Sequence, residues 1–418
     1  MKLYDELKWR GMIKDVSNEE LAENLLNNKQ ISFYCGFDPT TASLTIGNFV
    51  QVIRICLLQK YGHKPIVLVG GATGLIGDPK QTGERKLLTL DESLKNAEKI
   101  KEQLSKFVDF EGDNGAIMVN NYDWISNISI IEFLRDYGKN FNINYMLAKD
   151  TIASRLETGI SYTEFSYMLI QSIDFLTLYK KYNCQLQFGG SDQWGNITAG
   201  LELIRKTEGN NKDVLGISSP LLTKSDGGKF GKSETGALWL DKEKTSPYEL
   251  YQFLINSSDD DVINYLKSLT LLGKKEIDIL AESIKNEPEK RLAAKTLSKE
   301  VVSFIHGEVE YNNALRITEC LFNGNIKELS SKEIENALKD VSTTVIKEAK
   351  VMVDLLVDSN IVLSKREARQ LIMGGAIMIN GEKTTDLDTI INRENAIDNK
   401  YVVIRKGKKH YFLIKFEI

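Results

Sequence analysis

Apolar positions along the first half of the chain follow two rhythms. Short apolar runs at 31–36, 65–70, 116–120, 184–188 and 214–218 read as strands. The second of them, Pro65-Ile66-Val67-Leu68-Val69-Gly70, is apolar throughout, as a strand buried on both faces should be. Between the runs, residues 44–60, 93–107, 163–179 and 192–206 carry apolar side chains at helical spacing. Alternation of this kind predicts an α/β fold with a parallel sheet covered by helices, and ligands at the carboxyl ends of its strands. After Thr245 the rhythm is helical only. Ser246-Pro247 supplies a cap and a proline at the first helical position, and helices continue to about Cys320. Residues 322–350 are polar and weakly periodic and read as a connector. From Val351 the pattern is compact again, with one or two helices, a strand at 376–380, a hairpin-type Asn380-Gly381 turn and late strands at 401–404 and 411–415. The predicted division is an α/β domain over 1–225, a loop and helical domain over 226–322, a linker over 323–350 and a small α+β domain over 351–418.

Composition narrows the chemistry. The net charge of -4, from 54 basic and 58 acidic residues, excludes a globally basic nucleic-acid binder and leaves room for a local basic face. Cys35, Cys56, Cys184 and Cys320 are scattered without a C-x-x-C pair, so neither a zinc site nor a disulfide framework is expected. The three histidines, His63, His306 and His410, stand in no catalytic or metal-binding pattern. There is no run of eighteen apolar residues, and the N-terminus is charged at once, which predicts a cytoplasmic protein with no membrane partner.

Two glycine-rich segments imitate nucleotide motifs. Gly227-Gly228-Lys229-Phe230-Gly231-Lys232-Ser233 lacks the first P-loop glycine, since Asp226 stands in its place, and reads instead as a mobile loop aiming two lysines at phosphates. Gly70-Gly71-Ala72-Thr73-Gly74-Leu75-Ile76-Gly77 follows a strand without the G-x-G-x-x-G spacing, which disfavours a plain dinucleotide site. More informative are the strand ends. Tyr34-Cys35-Gly36-Phe37-Asp38-Pro39-Thr40 leaves the first strand, and Ser43-Leu44-Thr45-Ile46-Gly47-Asn48 opens a helix whose start could take a phosphate; an ordinary capped helix reads the same way. Tyr167, Gln171 and Asp174 are spaced by four and three, so they share one face of a helix that is apolar on most others. Such a seam is either solvated or faces a polar ligand. With Tyr34 and Asp78 it would make a pocket for a small zwitterion carrying a phenol, one carboxylate for an ammonium and another for a hydroxyl.

At these residues the sequence resembles the bacterial-type tyrosyl-tRNA synthetases, class I aminoacyl-tRNA synthetases, over nearly its whole length. The likeness rests on Tyr34 to Thr40, on Ser43 to Asn48 in the place of the family's HIGH motif, and on Gly74-Leu75-Ile76-Gly77-Asp78-Pro79. It continues through Tyr162-Thr163-Glu164-Phe165-Ser166-Tyr167 to Gln171 and Asp174, through Gln187 to Asn196, and to Lys229-Phe230-Gly231-Lys232-Ser233 as the KMSKS loop. The resemblance implies a Rossmann-like catalytic domain that activates tyrosine with ATP and Mg2+ and passes it to the 3′ end of tRNA-Tyr. It implies that Tyr34 and Asp174 meet the substrate phenol, that Asp78, Tyr167 and Gln171 hold its ammonium, and that Gln193 lies near the reacting carboxylate. It places ATP against Cys35, Gly36, Asp38, Gly47, Asn48, Gly190, Asp192 and Lys232, with Thr40, Thr45, Lys229, Lys232 and Ser233 acting on the phosphates.

Thr45 stands where the family motif begins with histidine, and Asn48 ends it. A threonine hydroxyl can donate one uncharged hydrogen bond, so activation should persist, slowed, and Thr45→His should raise its rate. Arg85 is expected near phosphate or the tRNA end. The helices from about Pro247 to Cys320 resemble the family's anticodon-recognition domain. Residues 351–418 resemble an S4-type RNA-binding domain, with Lys365, Arg366 and Arg369 on one helix flank and Arg405, Lys406, Lys408 and Lys409 in a basic turn. Deleting 351–418 is expected to spare adenylate formation and cripple tRNA charging. Family members are dimers, and the apolar stretch from Ile130 to Met146, with Phe133, Tyr137, Phe141 and Tyr145, is the candidate interface or else plain core. Two other readings remain. A tryptophan-specific relative is opposed by Asp174 with Tyr34, and an RNA-binding paralogue with a decayed catalytic half is favoured by Thr45 alone.

Overall fold

A computed structural model describes the chain apart from Gln81, Thr82, Glu84, Arg85, Asn211, Glu234, Thr235, Asp340, Lys408, Lys409 and Ile418; for Asp150, Lys232 and Ser233 it describes the backbone alone. The chain packs as two compact units, one of Met1–Lys244 with Ser257–Leu297 and one of Thr245–Asn256 with Ser298–Ile418.

The first unit is built on a six-stranded sheet of β1 (Asp15–Val16), β2 (Ser32–Phe37), β3 (Lys64–Val69), β4 (Ile117–Asn120), β5 (Cys184–Gly190) and β6 (Leu215–Ser219), in the order β1-β6-β5-β2-β3-β4. All neighbours run parallel except β1, which pairs antiparallel with β6 at the edge. The five parallel strands are those read from the apolar runs, with ends shifted by one or two residues; β1 is too short to leave a pattern. From β2 the chain winds through β3 to β4, then crosses back to β5 on the other side of β2. The strand order thus reverses between β2 and β5, and a crevice opens at their carboxyl ends, where ligands of open α/β sheets bind.

Two helices carry most of the crevice wall. Helix α1 (Ile46–Lys60) starts at a capping box, in which Thr45 accepts from the Asn48 backbone N–H and Asn48 accepts from the Thr45 N–H. Helix α2 (Tyr162–Tyr182) is capped by Ser161 and ends at Asn183, whose φ of 50° stops the chain. Along α2, Met168, Leu169, Ile173, Phe175, Leu176 and Leu178 are buried, as the all-round apolar pattern required. Helix α3 (Trp194–Glu208) packs against α2. Helices Asp259–Leu269 and Lys274–Asn286 belong to this same unit. Its N-terminal helix, Leu3–Trp9, is followed by buried Arg10, whose guanidinium donates to the carbonyls of Lys267, Thr270 and Leu272 at 2.7–2.9 Å.

The glycines after β3 serve close packing. A Cβ on Gly70 would stand 2.2 Å from the Asp38 carboxylate and from Thr73 Oγ1, and one on Gly71 2.4 Å from Asn120.

The second unit has a five-stranded sheet in the order Glu382–Lys383, Ile377–Ile379, Tyr401–Lys406, His410–Phe416, Thr343–Ile346. Asn380 and Gly381, at φ 47° and 88°, make the hairpin turn that their sequence announced. The polar stretch read as a connector contains ordered structure. Helix Ser331–Ala337 buries Ile334, and Thr343–Ile346 runs parallel to the last strand. A single apolar position per turn, and an edge strand with one buried residue, leave too weak a period to read.

Candidate active site

A cavity of about 300 Å³ lies at the β2/β5 crevice, lined from β2 by Tyr34, Gly36 and Phe37 and from β5 by Gln187 to Gly190. The same cavity takes in Tyr167, Gln171 and Asp174, so the polar seam of α2 faces a hole and not solvent. Tyr34, Tyr167 and Asp174 are 2%, 5% and 1% exposed.

One end is shaped around Asp174. Its two carboxylate oxygens accept from Trp124 Nε1 at 2.8 Å and Asn121 Nδ2 at 3.0 Å. Asn121 also donates to Thr73 Oγ1 at 3.0 Å and accepts from the Ala72 N–H at 2.8 Å. Thr73 donates on to Asp38 at 2.7 Å, and the other Asp38 oxygen accepts from the Tyr167 hydroxyl at 2.7 Å. Burial pushes the Asp174 carboxyl up to about 7, against the two donors that favour its ionised form. Tyr34 leans on Phe175 with ring centroids 5.4 Å apart, and among the described residues its buried hydroxyl has no hydrogen-bond partner. Burial and the nearby Asp174 charge hold that phenol protonated. An unpaired donor beside an oriented carboxylate is a receptor for one hydroxyl group.

A second carboxylate, Asp78, accepts from Gln193 Nε2 at 2.7 Å and Asn196 Nδ2 at 3.2 Å. Asn196 also donates to Gln171 Oε1 at 3.0 Å, which turns that oxygen's remaining lone pair toward the cavity. Burial raises Asp78 to about 6. An ionised Asp78, the Gln171 carbonyl and the Tyr167 hydroxyl oxygen form an acceptor set suited to an ammonium group.

The third part of the wall is Gly36, Asp38, Gly47, Asn48, Gln51, Gly190 and Asp192. Gly47 and Asn48 sit exposed at the start of α1, whose positive dipole end favours an anion, although the Asn48 N–H is already engaged by Thr45. A Cβ on Gly190 would come 2.5 Å from Asp192 Oδ1, so glycine lets that carboxylate fold back over the strand end.

Several expected residues stand apart from this wall. Cys35 is buried behind it, because strand alternation turns it away from the Tyr34 face, and its thiol points at Gln51 Oε1 over 4.0 Å. Thr40 and Lys229 are exposed and Thr45 is half-buried in its capping box; none of the three lines the cavity. The loop that carries Lys229 is held to helix α4 (Asp259–Leu269). The Ser225 N–H donates to Asp261 at 2.7 Å, and Phe230 packs on Tyr265 with centroids 4.7 Å apart. Arg85, Lys408, Lys409 and the side chains of Lys232 and Ser233 lie outside the described residues.

In the second unit, Lys365, Arg366 and Arg369 are exposed on helix α5 (Lys365–Met373), with Lys365 paired to Asp354 at 2.7 Å. Lys406 is turned inward, donating to the Ile361 carbonyl at 3.0 Å and Glu367 at 3.2 Å, and the Arg405 guanidinium lies against Met378 and Tyr411. These two act as braces within the unit.

The family pattern described as tRNA synthetases class I (W and Y) matches residues 26–323, and that of the tyrosine–tRNA ligase SYY-like C-terminal domain matches 333–414. The chain is 54% identical to the tyrosine–tRNA ligase of Bacillus velezensis over 418 residues, 99% of each protein.

This chain belongs to the class I tyrosyl-tRNA synthetases.

It is also 52% identical to tyrosine–tRNA ligase 1 of Bacillus subtilis over 99% of both chains. Among solved structures it is similar to a C-terminally truncated mitochondrial tyrosyl-tRNA synthetase of Aspergillus nidulans, with a TM-score of 0.68 and 32% identity over 77% of this chain and 94% of that one. A tryptophanyl-tRNA synthetase of Encephalitozoon cuniculi, at TM-score 0.54 and 12% identity, covering 74% of this chain and 87% of that one, shares the fold. Within this synthetase, Asn121, Trp124, Thr73 and Asn196 are the site residues that sequence reasoning missed. One signal could have found the first two. The polar Asn120-Asn121 pair closes β4 and starts the loop beyond it, on the ligand side of the sheet.

Proposed function

We propose that the cavity binds tyrosine with its phenol between Tyr34 and Asp174 and its ammonium on Asp78, Gln171 and Tyr167. The enzyme is a tyrosine–tRNA ligase that uses ATP. The observation that carries the placement is the Tyr34 hydroxyl, buried and without a partner beside a carboxylate whose other contacts are already made. The substrate phenol donates to Asp174 and accepts from Tyr34. Phenylalanine in the same place leaves the Tyr34 hydroxyl unpaired, which costs about 1–3 kcal/mol, and brings Asp174 no further donor.

With its two ends held, the substrate carboxylate is directed toward Gly36, Gln193 and Asp192, and ATP lies along the start of α1 with its ribose near Asp192. The carboxylate attacks the α-phosphate and pyrophosphate leaves. This displacement needs no protein nucleophile or base, only alignment and neutralisation of the leaving charge. The start of α1 at Gly47 and Asn48, Thr40, Thr45 and the lysines of the 229–233 loop supply that neutralisation once the loop closes over the phosphates, and Mg2+ arrives with ATP as part of the substrate. The adenylate then passes tyrosine to the 3′ end of tRNA-Tyr, bound through Arg366, Arg369 and Lys365 of the second unit.

Ile130, Ile131, Leu134 and Ile143, exposed by 72%, 65%, 51% and 63%, support a homodimer through the 130–146 segment. Of the aromatics only Tyr145, 44% exposed, shares this aliphatic face, since Phe133, Tyr137 and Phe141 are half-buried against the core. The 1–225, 226–322 and 351–418 segments are read as the catalytic, anticodon-recognition and S4-like RNA-binding parts, with work in the cytoplasm. No described helix is long and apolar enough to cross a membrane.

Tyrosine-dependent exchange of pyrophosphate into ATP tests this reading. Exchange is expected with tyrosine and absent with phenylalanine at equal concentration. Equal exchange with both, or none with tyrosine, would overturn the assignment.

A further inference from the structure

Glu164 continues the polar seam of α2 by one more turn. It stands three residues before Tyr167 and seven before Gln171, so it shares their face, but it lines no part of the substrate cavity. It is 1% exposed and pairs at 3.1 Å with Arg155, which is 4% exposed. Burying both charges costs desolvation that their attraction offsets only in a tight geometry, so such a pair is weak support for stability. The Arg155 guanidinium is spread over three partners. Its Nη1 meets Glu164 and also donates to the Lys80 carbonyl at 2.9 Å, while Nε and Nη2 donate to the Gly159 carbonyl at 3.1 and 3.0 Å. The Gly159 N–H returns to the Arg155 carbonyl at 2.8 Å, so the 155–159 turn closes around the cation.

The Lys80 contact bears on Asp78. That carboxylate stands between Gly77, at φ 80°, and Pro79. Glycine leaves the chain on one side of it free to turn, and proline on the other side fixes its own φ and offers no N–H. Two residues beyond Asp78 the chain is caught, where the Lys80 carbonyl accepts from Arg155. Through the same guanidinium this turn is tied to Glu164 on α2, and Asp78, Pro79 and Glu164 line one neighbouring cavity. Arg155 thus joins the two elements that must meet around an ammonium group, the turn carrying Asp78 and the helix carrying Tyr167 and Gln171.

We propose that Arg155, held by Glu164, is a positioning residue for the ammonium end of the cavity, fixing the Asp78 carboxylate against Gln171 and Tyr167. It touches no substrate atom. This inference rests on the reading of Asp78, Gln171 and Tyr167 as the ammonium site. A charge-assisted hydrogen bond weakens steeply when its acceptor moves out of line, so the loss should fall on ligands that carry the ammonium and spare those that lack it.

Two competitive inhibitors of tyrosine-dependent pyrophosphate exchange separate the ends of the substrate. Tyramine keeps the ammonium and the phenol, and 3-(4-hydroxyphenyl)propionate keeps the carboxylate and the phenol. Arg155→Met should raise the tyrosine KM and the tyramine Ki together, about tenfold, the scale of one hydrogen bond to a charged group, with the propionate Ki within about twofold of the parent. Arg155→Lys, which can keep the Glu164 pair but not the full fork, should recover part of the loss. Glu164→Gln should shift the same two constants and add little in the Arg155→Met background. An equal rise in all three constants for Arg155→Met, the mark of a general structural role, overturns the proposal, as does no rise in any of them. Should Arg155→Met fail to fold, Arg155→Lys decides by the ratio of tyramine Ki to propionate Ki, and a ratio equal to the parent's overturns the proposal. Asp78→Asn is the control for the reading beneath. If it raises the tyramine Ki while the Arg155 variants do not, only the inference fails; if it leaves the tyramine Ki unchanged, the ammonium assignment fails with it.

Discussion

The Tyr34 hydroxyl and the two buried carboxylates work against the stability of the ligand-free protein and in favour of its ligand. An unpaired buried hydroxyl is destabilising, so Tyr34→Phe should raise the Tm of the free enzyme, by an amount corresponding to about 1 kcal/mol, and raise the KM for tyrosine roughly five- to tenfold. Calorimetry and exchange kinetics on one preparation would check both signs, and a fall in both would contradict the unpaired state. Asp78 and Asp174 are raised to about 6 and about 7 by burial, and the proposed placement of tyrosine needs both ionised. The KM for tyrosine should therefore be flat above neutral pH and climb as pH falls through these values, approaching about tenfold per pH unit once protonation of either dominates. Measured KM against pH between 5 and 8 would show the bend, and a flat profile would remove Asp78 from ammonium binding. Thr45 couples two roles. Its hydroxyl contacts Asn48 Oδ1 at 2.8 Å as part of the capping box, so Thr45→His should speed activation several-fold through a better donor to phosphate while the loss of the cap costs about 1 kcal/mol of stability. Single-turnover adenylate formation read beside a melting curve tests the pair. All of these residues except the positioning ones were visible in the sequence, because side-chain chemistry is local. Asn121 and Trp124 were not, because the Asp174 carboxylate they brace lies about 50 residues away along the chain.

At the scale of elements, positions are set by alternation and by close approach. Tyr34 and Gly36 face the crevice while Cys35, between them, faces α1, which no motif comparison resolves. The lysine loop shows the second effect. Gly231 has φ 76°, and a Cβ there would lie 2.5 Å from Ile46 Cγ2 at the start of α1. The Gly231 carbonyl accepts from Leu238, and the Leu238 carbonyl accepts from the Ile46 N–H, so the loop base is fastened to the start of α1. Gly231→Ala should push the loop off this seat and lower the kcat of activation roughly tenfold, about 1.4 kcal/mol, with the tyrosine KM nearly unchanged. An equal fall in tyrosine affinity would place the damage in the cavity and not in the loop. The glycines and lysines of the segment read as a phosphate loop, and its docking on α4 through Asp261 and Tyr265 depends on residues more than thirty positions away.

For the whole molecule, the second unit makes truncation a blunt test of RNA binding. Removing 351–418 would strip Thr343–Ile346 of its parallel partner and uncover Ile317, Leu321 and Ile334, which pack with Tyr401, Val403 and Leu413. Charge reversal leaves that core intact. Arg366→Glu with Arg369→Glu should lower kcat/KM for tRNA about tenfold or more and flatten the salt dependence of tRNA binding by about two phosphate contacts, with tyrosine-dependent exchange unaffected. Charging and exchange assays at two salt concentrations check it, and unchanged charging would move the RNA face elsewhere. Periodicity along the chain determined the five parallel strands and the long helices, one of which carries the polar seam, because burial imposes a repeat of two or 3.6 residues wherever an element packs on a core. The tertiary structure alone decided which strand ends meet at the crevice, which polar residues brace the carboxylates, and that a polar, weakly periodic stretch adds a strand to the second sheet. Those outcomes depend on contacts between distant segments, and a hydrogen bond across a sheet or a buried ion pair imposes no period on the sequence that supplies it.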